Sequence, residues 1–282
     1  MASGKDLKTR IKSITSIQKI TKAMKMVAAS KLRQVQNALE AARPGSQVVS
    51  SVLNEMQVIA QTIQNDTPAN SKKLIVVISS DRGLCGGINS NVVKDTKLNI
   101  KESKAQQLQV ALFTIGDKGK DVLLRTHKDL MQGAVSETAK KKLSFSIASL
   151  VAEEILRQDY DTCQIVFNQF KSIISQNLIR SSIYSKEVLN SAFCEWNNYE
   201  FDSDKSTVLY DLYEYHLALQ IFTSMLENAT SEQGARMNAM DSASRNASEM
   251  MEKLTLIYNK ARQAAITSEL IEIISCASAV AK

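Results

Sequence analysis

The feature that most restricts this chain is a heptad pattern in its C-terminal quarter. Leu212, Leu219, Leu226, Gln233, Met240, Ala247, Leu254 and Ala261 recur every seventh residue. Tyr215, Phe222, Ala229, Arg236, Ala243, Met250, Ile257, Ala264 and Ile271 form a second series at a three-residue offset. Only Gln233 and Arg236 are polar, and they flank the one break, at Gly234. A seam this long demands a left-handed coiled coil, because an ordinary surface helix drifts off a seven-residue repeat. About 70 residues at ~1.5 Å per residue give roughly 100 Å of helix, several times the width of a small domain. Leu254 and Ile257 read as core positions of that seam. The partner is at the other end of the chain. From Lys5 to Ala42 there is no Pro or Gly, and Leu7, Ile14, Thr21, Ala28, Val35 and Ala42 repeat by seven. Ile17, Met24 and Ala38 join them at the three-residue offset, with Arg10 and Lys31 interrupting. Pro44-Gly45 is expected to end or kink this helix. A second apolar series, Val48, Val52, Met56, Ile59 and Ile63, then runs to the polar break "QNDTPANSKK".

Between the two helices the period changes. "LIVVIS" (Leu74–Ser79), "VALFTIG" (Val110–Gly116) and "TCQIVFNQF" (Thr162–Phe170) read as strands. Ile88–Lys101, "GKDVLLR" and "FSIASLVAEEILR" read as the intervening helices, which implies a mostly parallel sheet. "SIISQNLIRSSIYS" is a further strand or hairpin at the sheet edge. The expected fold is α/β: a long antiparallel coiled coil of the terminal helices, with an inserted Rossmann-like domain. The expected parts are 1–65, 66–205 and 206–282.

"VVISSDRGLCGGINS" (Val76–Ser90) places a strand, a glycine loop and a helix in the order that often holds a phosphate. A Walker loop, however, follows its last glycine with Lys and Ser or Thr. Here Gly83, Gly86 and Gly87 lead into Ile88-Asn89, and G-x-G-x-x-G is also missing. A tight strand-to-helix turn is the better reading. Four dispersed cysteines and two histidines offer no zinc pattern, and no nucleophile turn is present. No catalytic residue, cofactor or metal is expected. No run approaches the length of a membrane span, and the N-terminus has no apolar signal core.

The net charge of +6 leaves nucleic acid, an anionic membrane or an acidic protein open as partners. Its distribution is more telling. Lys5, Lys8, Lys12, Lys19, Lys22 and Arg33 share one side of the N-terminal helix, while Lys25 falls among the apolar positions. Asp6 is the only acid before Glu40, so pairing along the helix cannot neutralise the stripe. An acidic partner follows. The last stretch, Ile266–Ala281, is apolar all round and contains only Glu269 and Glu272 as charges, so it calls for burial by another chain.

Four segments, "IQKITKAMKMVAASKLR", "SSDRGLCGGINS", "GARMNAMDSASRNA" and "YNKARQAAITSELIEIIS", resemble motifs of the γ subunit of F-type ATP synthases, the central rotor shaft. They span both ends and the middle of the chain. The resemblance implies a non-catalytic shaft inside a ring of α and β subunits, its α/β foot touching the membrane c-ring and small δ/ε stalk subunits. It implies no nucleic acid and a peripheral place at the mitochondrial inner membrane, matrix side, with the bacterial plasma membrane second. It assigns Met24 and Lys25 to contact with an acidic β-subunit loop; the Lys8, Lys12, Lys19 and Lys22 stripe is a partner face on the charge pattern alone. It assigns Arg236, Arg262, Gln263, Thr267 and Glu269 to contacts made by the C-terminal helix. One departure is Cys276, where the family usually has Gly. Cys194 stands alone, so the paired-cysteine redox switch of chloroplast members is not expected.

Overall fold

The computed structural model describes residues 4–64, 71–138, 142–185 and 204–280. Cys194 therefore lies outside the described residues, as do Ala281 and the side chains of Val52, Met56, Ile59, Ile63 and Val280. The elements are α1 (Gly4–Gln64), β1 (Lys72–Ile78), α2 (Ile88–Ala105), β2 (Gln109–Ile115), α3 (Asp117–Thr126), β3 (Met131–Val135), α4 (Phe145–Leu156), β4 (Thr162–Phe170), β5 (Gln176–Tyr184) and α5 (Lys205–Val280). They form two compact units, Ala28–Arg236 and Met1–Val27 with Met237–Lys282.

In the larger unit the strands form one sheet in the order β3-β2-β1-β4-β5. All neighbours are parallel except β4 and β5, which pair antiparallel. β1 is central and buried on both faces, as its run of β-branched residues requires. Leu74, Val76 and Ile78 point one way and meet α4 (Ala148, Val151, Ala152, Ile155) and α5 (Tyr213, Leu217, Ala218, Ile221, Met225). Ile75 and Val77 point the other way and meet Val92, Val93 and Ile100 of α2 and Leu123 of α3. Each such large side chain contributes on the order of 1.5–3 kcal/mol when fully buried.

Two departures from the sequence expectations have clear causes. β3, "MQGAV", was not expected: it is short, only half-buried, and lacks apolar alternation. Gly133 is required there, because a Cβ would lie 2.6 Å from the Phe113 ring. The second is α1, which runs through Pro44 rather than ending there. Arg43 supplies the reason: its Nε donates to Glu227 Oε1 at 2.9 Å and its Nη2 to the Phe170 carbonyl at 3.1 Å. Glu227 also accepts from the Phe170 amide at 2.8 Å. With Val49 packed on the core beyond it, the helix is held on both sides of the proline. Val48, the first residue of the second apolar series, is exposed.

In the smaller unit α1 and α5 run antiparallel. Thr15 Oγ1 donates to Met251 Sδ at 3.4 Å, and Lys25 pairs with Asp241. Ten residues forward on α1 thus match ten residues back on α5. The seven-residue period is as expected, but its companion series lies four residues on, not three. Leu7, Ile11, Ile14, Gln18, Thr21 and Lys25 are buried or half-buried, as are Met240, Ser244, Ala247, Met251, Leu254 and Tyr258. Ile17, Met250 and Ile257 are about half exposed, so Ile257 is not a core residue, whereas Leu254 is partly buried. A step of three and a step of four lie on opposite sides of the first series, and polar Gln18, Lys25 and Ser244 disguised the side in use.

His216 sits in the α5 face turned to the core, 5 % exposed. Burial lowers its pKa from 6.5 to about 4. Between those values only the unfolded chain takes up the proton, so stability is full above pH 6.5 and is lost as pH falls toward 4. The loss by pH 5 should be about 2 kcal/mol. Urea unfolding at pH 7.5 and pH 5 should show a smaller acid loss for His216→Gln than for the parent chain; equal losses would contradict it.

Candidate partner interface

In an open α/β sheet, ligands settle outside the carboxyl ends of the strands, where the strand order reverses. In this sheet that place lies beyond β1 and β4, beside the glycine loop. α5 fills it. The cavity left between Ser79, Ser80, Asp81, Thr138, Asn228 and Glu232 has a volume of about 20 Å³, room for about one water. The loop is tied down from within. Ser80 Oγ donates to the Arg82 carbonyl at 2.7 Å, and Asn89 Oδ1 accepts from the Ser80 amide at 3.0 Å. Asp81 accepts from the amides of Asp117 and Glu137 at 3.3 and 3.2 Å. Arg236 donates to the carbonyls of Gly83 at 3.2 Å and Arg82 at 3.4 Å. A phosphate cradle turns N–H groups toward an anion; this loop turns carbonyls toward a cation. Nucleotide chemistry does not fit it.

A wider cleft of about 810 Å³ opens between Lys31, Val35 and Ala38 of α1 and Leu226, Ala229 and Gln233 of α5. Its titratable groups are Lys31, Lys142 and Glu232, the last bound to Arg236. Nothing there pairs a nucleophile with a base. Among the described residues there is no group of three or more side chains suited to a metal ion. Cys85 and Cys163 are buried, and burial pushes both thiols up, Cys163 to about 12, which makes them poor nucleophiles.

The surface of the coiled-coil unit is different. Lys8, Lys12, Lys19 and Lys22 are exposed along one flank of α1, and Ile20 and Val27 are exposed on its outer side. Met24 is half-buried. Lys25 is spent within the chain on Asp241, whose carboxyl it and Arg245 hold below the usual carboxylate range. Counting back from the Thr15 contact, Gly4 falls opposite Arg262. Every residue from Arg262 to Ala279 is exposed, including Gln263, Thr267 and Glu269. Thr267 Oγ1 only donates back to the Gln263 carbonyl. Ile266, Leu270, Ile271, Ile273 and Ile274 are each about half exposed or more, on a single helix. Arg236, by contrast, is 8 % exposed and turned inward. The stripe, Met24 and the tip residues thus lie within one unit, and Arg236 belongs to the other. Asp241 and Glu232 escaped the sequence reading. The signal for each was an Arg four residues on, Arg245 and Arg236.

A family model described as ATP synthase matches residues 3–280. The ATP synthase gamma chain of Paracoccus denitrificans (strain Pd 1222) is 41% identical over 290 residues, covering 99% of this chain and 100% of that one. The chain belongs to the ATP synthase gamma family. The gamma chain of Rhodospirillum rubrum is likewise 41% identical over 299 residues, at 99% and 100% coverage. Among solved structures, a chain from the central stalk/c-ring of Tetrahymena thermophila mitochondrial ATP synthase matches with TM-score 0.69 and 29% identity, over 80% of this chain and 99% of that chain. One from Euglena gracilis mitochondrial ATP synthase matches with TM-score 0.75 over 99% and 94%; at 22% identity it speaks to the fold alone. As a gamma-family member the chain is a non-catalytic subunit with the role of a rotor shaft in the central stalk.

The register of this gamma-family shaft is directly testable. In a Cys276→Ser background, Thr15→Cys with Met251→Cys should crosslink in high yield through a short thiol-reactive linker, whereas Thr15→Cys with Ile257→Cys should not. Equal yields would mean that the two helices slide past one another.

Proposed function

We propose that the shaft turns inside a ring of three α and three β subunits, coupling proton-driven rotation of a membrane c-ring to ATP synthesis on that ring. The observation that carries this is the exposed apolar end of α5. Contiguous apolar surface of this kind marks an interaction site, and a rotor has to cover it and still slip. A sleeve of apolar walls with few fixed hydrogen bonds meets both needs. The small residues Ser275, Cys276, Ala277, Ser278 and Ala279 keep the tip narrow enough to enter one. Around it, Arg262, Gln263, Thr267 and Glu269 are the polar contacts to the ring. Lys8, Lys12, Lys19 and Lys22, with Met24 beside them, meet an acidic loop of the β subunit, while Lys25 is already engaged by Asp241 of its own chain. In this assignment residues 1–65 and 206–282 make the shaft. Residues 66–205 make the foot, which touches the c-ring and small δ/ε stalk subunits. Among the described residues no helix is long and apolar enough to cross a membrane. The proposed site is therefore peripheral, on the matrix face of the mitochondrial inner membrane, with the cytoplasmic face of a bacterial plasma membrane second.

Hydrogen exchange read by mass spectrometry tests the sleeve. The stretch from Ile266 to Ala279 should exchange fast in the purified chain and slowly once α and β subunits are added. Equal protection in both states would sink the proposal. The stripe gives a second test, because exposed charge acts mainly on association rate and is screened by salt. Replacing Lys8, Lys12, Lys19 and Lys22 by Gln should slow assembly with α and β subunits at low ionic strength and flatten its salt dependence. An unchanged rate and slope would mean that the lysines are merely solvated.

A further inference from the structure

The family resemblance gives Arg236 a place among the outward contacts, yet its side chain is buried. Its Nη2 meets Glu232 Oε1 at 2.6 Å, one turn back on α5, and the Gly83 and Arg82 carbonyls. The preceding residue, Ala235, packs on Cys85 and Ile88 at the far side of the same loop. The loop needs outside support, because Leu84 holds a left-handed φ of 63° that a residue with a Cβ rarely adopts. Conformations of this kind persist only where their surroundings over-determine them.

We propose that Arg236 is a positioning residue acting inside the chain, clamping the glycine loop after β1 onto α5 so that the sheet and the helix turn as one body. The proposal rests on the rotor-shaft reading for its purpose, and on the geometry alone for the clamp. An arginine suits the task because its planar fork reaches a carboxylate and backbone carbonyls at once, which the point charge of a lysine does less well. The pair is not an economical way to stabilise a core. Burial pushes the Glu232 carboxyl above its ordinary value, and Arg236 offsets only part of that. Buried ion pairs of this kind are often matched or bettered in stability by apolar side chains of similar size. What an apolar pair cannot do is hold two carbonyls.

That difference supplies the experiment, run on the full chain and on its complex with α, β and c-ring partners. In Arg236→Gln, the peptides covering residues 80–88 should exchange about tenfold faster than in the parent chain. The ratio of protons pumped to ATP hydrolysed should also fall. Arg236→Lys should retain the charge beside Glu232 and still show the faster loop. The double variant E232L/R236M should melt close to the parent temperature while the loop stays fast and coupling stays low. Recovery of both loop protection and coupling in that variant would overturn the proposal, since packing alone would then suffice. Unchanged loop exchange in Arg236→Gln would overturn it directly, and a fast loop with full coupling would remove its mechanical part. A parent complex that fails to couple at all would count against the rotor reading instead, leaving the loop result to stand.

Discussion

One whole core of the larger unit depends on a face of α5 being buried, with α4, against the sheet. Tyr213, Leu217, Ile221 and Met225 cover the side of β1 and β4 that α2 and α3 leave bare. Without them Leu74, Val76, Ile165 and Phe167 would keep only the cover that α4 provides. The chain's last helix is therefore a structural layer of a domain whose strands all precede it. This also explains why the place beside the switch in strand order holds no ligand-sized space. A doubly wound sheet normally leaves a crevice there; here Asn228 and Glu232 of α5 line what remains of it.

Polar groups then fix where the helices meet. Arg43, Glu227 and the backbone of Phe170 form a closed set of hydrogen bonds that joins α1, α5 and the end of β4. In the smaller unit the seam is lean, with Gln18, Thr21, Ser244 and Ala247 where a rigid coiled coil would place leucines. Small and polar residues bury little apolar area per turn, so they hold two helices weakly and specify alignment poorly. The Lys25–Asp241 pair compensates by favouring one alignment over its neighbours, a known use of a charged residue in a seam.

What could be read from the amino acids divides along the same physical lines. The strands β1, β2 and β4 were legible because burial on both faces forces unbroken β-branched runs. β3 was not, because a half-buried edge strand imposes so little on its composition. The heptad period was legible on both long helices, but the choice of companion series was not. Ile17, Met250 and Ile257 look like core residues and lie on the surface, while Gln18 and Ser244 look like surface residues and lie in the seam. Periodicity reports that a helix has an apolar face; it does not report whether that face meets the same chain or another. Arg236 was misleading in the reverse sense, a charged side chain that reads as an outward contact and instead is folded in against its own loop.

The exposed end of α5 has a mechanical consequence. By the register of the Thr15 contact, residues 263–280 extend α5 for ~27 Å with no helix alongside among the described residues, adjoining a stretch in which two helices share any load. Bending rigidity rises steeply with the thickness of a rod, so the lone stretch is the most compliant section of that unit. A sideways force on the tip is still transmitted to the paired stretch, but most of the deflection it causes occurs in the single helix. In the proposed sleeve, a thin, springy end backed by a stiffer length would tolerate a slightly off-centre seat, as what an engineer calls a self-aligning pivot does.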